Sequence, residues 1–282
     1  MSVQGIKIID GDGANQYMGV TGDGSAATTP IYSIPANWVY EVARSNVDSA
    51  ASWHKFGYNS DVDTASAEVI ASFGGTINIM TSADTLDVVS DSTSDAAAGT
   101  GAISVLITGI DENHAFQTEV VSMNGTTVVT TSNSWLGVNR VVVLSSGSNN
   151  TNVGNITIDD NAGTVGVQAY IPAGGSTTQQ MIFHTEINKT FLMSDIVLNA
   201  LKLSGGGGDP RIIFKAFSYS RVTETTYEVF RKNIDTTVDN VLFVNFDVPL
   251  VFTGREVIYF TAETDVNNTE VSGRFTGILV DS

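Results

Sequence analysis

The stretch Gly101–Thr131, GAISVLITGIDENHAFQTEVVSMNGTTVVTT, decides the fold class. Gly101–Thr108 and Thr118–Met123 are β-branched and apolar runs of strand length. The turn residues Asp111-Glu112-Asn113-His114 lie between them, which reads as a hairpin. Asn124-Gly125 then precedes Thr126–Thr131, and Asn-Gly between β-branched runs predicts a second hairpin. Val138–Leu144 and Asn155–Ile158 follow, separated by the loop SSGSNNTNVG. Short strands at this spacing, with turn residues between them, predict antiparallel β-sandwich packing.

Working outward, residues 1–72 hold few alternating runs. They carry Gly-Asp-Gly turns and scattered large aromatics, and so read as an extended N-terminal arm. Trp38, Trp53, Phe56 and Tyr58 are its candidate assembly anchors, because aromatic side chains gain most from burial. A second break falls at Ile171–Thr178, IPAGGSTT. Beyond it Arg211–Ser218, Thr226–Lys232, Val241–Phe252, Glu256–Thr261 and Arg274–Val280 are all strand-like. Phe191–Leu203 has a periodicity between that of helix and strand, and its all-β surroundings favour strand. The expectation is an all-β chain of tandem antiparallel β-sandwiches, jelly-roll or immunoglobulin-like. An arm spans 1–72, an acidic sandwich 73–175 and a C-terminal sandwich 176–282.

The chain has 282 residues, no cysteine and a formal net charge of −17. From Phe56 to Asn188 its only lysine or arginine is Arg140, while Asp84, Asp87, Asp91, Asp95, Asp111, Asp159 and Asp160 punctuate the same region. Such a surface repels phosphate backbones, so nucleic acid is not an expected partner. The first residues lack a basic segment followed by an apolar one, which gives no expectation of secretory export. No apolar run approaches the ~20 residues of a membrane-spanning helix. Without cysteine, thiolate metal sites and thiol nucleophiles are excluded.

His54, His114 and His184 lie in separate predicted segments, without the spacing of a helical metal pair. No phosphate-binding loop or nucleophile elbow occurs, so no catalytic residue, cofactor or metal site is expected. Asn59, Asp61 and Asp63 imitate the first oxygen ligands of a calcium loop. Thr64 and Ile70 then stand where that loop needs Gly and Glu. A glycan hydrolase would need two carboxylates across a cleft, and no motif nominates a pair.

Several pieces in order resemble a family of virion structural proteins of tailed phages, especially marine and cyanobacterial ones. They are Asp10–Tyr17 (DGDGANQY), Lys55–Asp63 (KFGYNSDVD), Phe73-Gly74-Gly75, Gly99–Ala102, Ile110–Asn113, Met123–Val128, Leu144–Ile158, Phe246–Leu250 and Ile278–Asp281. From His184 to Lys202 the sequence departs from that pattern. The resemblance implies a non-enzymatic particle component assembled in the host cytoplasm, and it carries no catalytic residues. The expected role is decoration or cement on the capsid exterior, with the major capsid protein, other virion proteins and further copies in a homotrimer as partners. The competing expectation is a tail- or fibre-associated adhesin, binding a host glycan through Tyr219, Tyr227, Phe230 and Tyr259.

Overall fold

A computed structural model describes residues 7–9, 15–17, 38–202 and 208–282. They divide into two compact units, 1–52 and 53–282. In the first, β1 (Lys7–Ile9) pairs antiparallel with β2 (Asn15–Tyr17), and a short helix α1 (Trp38–Ala43) follows.

The chain continues through β3 (Ala50–Val62), β4 (Glu68–Val69), β5 (Leu86–Ser90), β6 (Ala102–Ile110), β7 (Phe116–Ser122), β8 (Val129–Thr130), β9 (Gly137–Ser146), β10 (Ile156–Asp160) and β11 (Val167–Ile171). Then come β12 (Ile182–His184), β13 (Lys189–Lys202), β14 (Arg211–Ser220), β15 (Thr225–Asp235), β16 (Val241–Phe252), β17 (Glu256–Thr264) and β18 (Thr269–Asp281). The described residues are nearly all β, in antiparallel sheets, as the sequence predicts at that level. The ambiguous segment is strand through Lys202, and it pairs along both sides with β16 and β18, while Leu203 lies outside the described residues.

Within the second unit two separate apolar cores mark two lobes, and the first, acidic, one contains sheets ordered β11-β10-β5-β8 and β7-β6-β9. Alternation along each strand turns Leu86, Val88, Val105, Ile107, Val141, Ile156 and Ile158 into one apolar cluster around the fully buried Trp135. Truncating a buried tryptophan there would cost about 3–5 kcal/mol.

The expected Asn124-Gly125 hairpin does not form. β7 pairs with β6, whereas β8 pairs with β5 in the other sheet. Gly125 does take the left-handed backbone, at φ 62°. The turn is instead bound to the 90–96 segment, where the Gly125 amide donates to the Asp95 carbonyl and Ser90 donates back to Gly125. Tertiary hydrogen bonds thus claimed the groups that a local hairpin would have used.

The C-terminal lobe contains the sheets β12-β17-β14-β15, with β4 beside β17, and β16-β13-β18-β3. Both sheets contribute to one core, in which Phe191, Phe275 and Phe260 meet edge-on and stacked at 5.9 and 5.3 Å. Val62 and Ile70 belong to this core, and Val69 lies opposite Thr261 in the β4–β17 pair. Residues 53–72, expected to be the end of an arm, are therefore built into the C-terminal lobe. Their pattern was obscured because Lys55, Gly57 and Asn59 occupy the inward positions of β3.

Candidate assembly surface

Alternate residues of a strand face opposite sides of its sheet. On β13 and β18 the inward set is Phe191, Ile196, Leu198, Val271, Phe275 and Leu279. The outward set is mixed: Leu192, Val197 and Ile278 share it with Thr190, Asp195, Asn199, Glu270, Ser272 and Arg274. Register places Leu192 between Val251 and Ile278, and Val197 between Phe243 and Arg274. Phe243 and Val251, on the edge strand β16, are 71% and 60% exposed. A strand apolar on both faces, such as Val241–Phe252, is the signal that would have nominated this surface. Between Asn245 and Leu250 the β16 register skips to accommodate Phe246–Pro249 opposite Ser194. A proline there loses no ladder hydrogen bond.

On β3, Phe56 is 45% exposed and Tyr58 half-buried, alternating with buried Lys55, Gly57 and Asn59. Burial, and then the Glu270 carboxylate that hydrogen-bonds to it, raise the Tyr58 phenol above its ordinary value. Glu270 itself alternates with buried Thr269 and Val271, so both Phe56 and Tyr58 belong to the outer face. The remaining sequence-predicted anchors do not join them. Trp53 packs into the core against Phe183 at 5.3 Å. Trp38 opens α1, and its side chain lies outside the described residues.

A polar seam joins the two lobes. The Asn139 carboxamide pairs with the backbone of His184, accepting its N–H at 2.7 Å and donating to its carbonyl at 3.0 Å. The buried Lys55 donates to the Asn139 carbonyl, and Gln180 donates to that of Val138 at 3.1 Å. Arg221 donates to the carbonyls of Met80 and Leu136, the latter at 2.9 Å.

Two of the three scattered histidines meet at this guanidinium. Burial, then Arg221, Lys55 and His114, hold His184 well below the usual imidazole value. Burial, then Arg221 and Arg255, lower His114. Burial alone lowers Arg221, to about 10. The contacts are donors on backbone carbonyls, an arrangement that fixes one lobe against the other. His54 lies apart, on β3.

The acids are less uniformly solvated than the sequence implied. Asp95 is fully buried and accepts from the Ser90 hydroxyl and the amides of Ala102, Val153 and Gly154, at 2.6–2.8 Å. Burial pushes its carboxyl up, but these four hydrogen bonds together bring it below the ordinary value. Asp160 similarly gathers the amides of Thr164, Val165 and Gly166. The Asn59 carboxamide donates to Glu68 and to the Val69 carbonyl, and its oxygen accepts from the Asp61 amide, so it closes a turn. Among the described residues, no three His, Asp or Glu side chains gather as a metal site would require.

The four candidate glycan-stacking aromatics do not form a platform. Tyr227 is 53% exposed, whereas Tyr259 is buried and stacks on Phe217 at 5.2 Å. Phe230 packs toward the core, edge-on to Phe246 at 6.4 Å.

No family model matches the chain, and no curated protein matches it. Among solved structures, one of infectious bursal disease virus Gt strain aligns at 11% identity over 83% of this chain and 77% of its own, with a TM-score of 0.20. The VP2 subviral particle of infectious bursal disease virus aligns at 9% identity over 82% and 75%, with a TM-score of 0.19. Likeness at that level carries no argument about fold or function.

Proposed function

We propose that this chain is a non-enzymatic structural component of a virus particle, a decoration or cement protein on the head exterior of a tailed phage. Its two sheet pairs would serve as tandem β-sandwiches, and its partners would be the capsid protein and further copies in a homotrimer. The observation that carries this reading is the outer face of the β16-β13-β18-β3 sheet. There the exposed Phe243 and Val251, with Leu192, Val197, Ile278 and Phe56, set apolar side chains among polar ones such as Asp195 and Arg274, a mixture of the kind that partner contacts cover. The carboxylate-rich lobe beside it suits an exterior position, away from packaged nucleic acid.

The test adds purified protein to phage heads lacking it and locates it by cryo-electron microscopy. Density on the head, lost with Phe243→Ser at unchanged melting temperature, is the expected result. Density at the tail alone would replace cement with adhesion. Undiminished head occupancy by the variant would remove this face from the contact.

A further inference from the structure

We propose that the cavity between β3 and β9 binds a carboxylate, supplied by an aspartate or glutamate side chain of a second copy of this chain. The cavity holds about 190 Å³ and is lined by His54, Lys55, Phe56, Arg140, Thr177 and Thr178. Arg140, the one cation between Phe56 and Asn188, stands at it. One of its five N–H donors goes to the His54 carbonyl, at 3.1 Å. Lys55 is 3% exposed, and of its three donors one goes to the Asn139 carbonyl. The ion pairs among the described residues bring no carboxylate to either cation.

A buried ammonium without a counter-ion is costly, and a carboxylate reaching the cavity would supply one. The planar fork of arginine selects a carboxylate, which it can hold through two parallel hydrogen bonds. The Thr178 hydroxyl accepts from the Val141 amide at 3.2 Å, so its own proton points elsewhere.

A second copy is the favoured source on charge. The chain carries 30 acidic residues against 13 lysines and arginines, so on another copy carboxylates outnumber cations about two to one. Phe56 also ties the cavity mouth to the outer face of the sheet, and one neighbouring copy could cover both. In this respect the inference rests on the assembly reading above.

Burial, then Arg140, hold the Lys55 amine well below its usual value. The charged or titratable groups facing it are Arg140 on β9 and His184 on β12, neither of which is an anion. An incoming carboxylate would draw the amine back up toward its usual value.

The experiment titrates the full chain with acetate, against chloride at equal ionic strength, by calorimetry. Sedimentation velocity runs in parallel. Expected are acetate binding, at least tenfold weaker in Arg140→Gln, and self-association that acetate reverses and Arg140→Gln abolishes at unchanged melting temperature. Acetate binding no better than chloride overturns the site. Acetate binding with a wild type that stays monomeric, or with unchanged association in Arg140→Gln, overturns the second copy as its source. If Phe243→Ser loses association but still binds acetate, the outer face and the cavity are separate contributors, and the carboxylate site stands.

Discussion

The guanidinium of Arg221 lies 3.2 Å from Nδ1 of His184, and because arginine can only donate, that nitrogen must be an unprotonated acceptor. The ring is buried. A Cβ on Gly137 would stand 2.3 Å from the same atom, so the ring occupies the space that only glycine leaves open. The seam therefore depends on a neutral His184.

Stability should fall on mild acidification. The unfolded chain protonates its histidines near pH 6.5, whereas His184 and His114 resist protonation when folded. Below about 6.5 the unfolded state holds more protons, so their contribution is complete above that pH and shrinks as pH drops toward the folded values. Urea midpoints should be level from pH 8 to 7 and decline from 6.5 to 5, by about 1.4 kcal/mol per histidine for each pKa unit of depression. His184→Gln should flatten the decline. A wild-type midpoint unchanged down to pH 5 would contradict the seam's dependence on neutral imidazole.

Gly137→Ala should destabilise by roughly 1–3 kcal/mol, since a methyl group has no space against the His184 ring. Differential scanning calorimetry would register a lowered melting temperature, and a neutral result would mean the seam can yield.

Asp95→Asn should cost about 3 kcal/mol or more, because an amide cannot accept from one hydroxyl and three backbone N–H groups as a carboxylate does. Asp61→Asn, on an exposed site, should stay within about 0.5 kcal/mol. Equal melting temperatures for the two variants would refute the structural role of Asp95. Charge reversal aimed at the surface field of this lobe must therefore spare Asp95.

A chain starting at Phe73 should not fold cooperatively. It lacks β3 and β4 and the buried Val62, Val69 and Ile70, which opens the C-terminal core. Retention of a single sharp unfolding transition, seen by near-ultraviolet circular dichroism, would show those strands to be dispensable.

Strand existence was legible wherever one face alternates or both faces are apolar, as in Gly101–Thr108 and Arg274–Val280. Pairing was less so, because Asn124-Gly125 offers a local turn but its hydrogen bonds are claimed by Ser90 and Asp95. The role of 53–72 was hidden by polar residues that find buried partners far along the chain, such as Lys55 with Asn139. Of the anchors chosen for aromaticity, Phe56 and Tyr58 face outward and Trp53 inward. Composition ranks residues by what they gain on burial, and only strand parity tells which side buries them. Phe243 and Val251 were readable from β16's two-sided apolarity, but their exposure depends on β16 standing at a sheet edge.

The pairing of Val69 with Thr261 has a consequence for biosynthesis. The two residues leave the ribosome about 190 residues apart, which at about 5–20 residues per second is a delay of roughly 10–40 s. The sheets of the acidic lobe use only residues 86–171, so that lobe can be complete while the upstream strands still wait for their partners. Nascent chains would pass through a state with a finished insert and an unsatisfied leading strand. Trigger-type chaperone binding to Trp53–Ile70, released as β17 and β18 emerge, would be the signature of that order of synthesis.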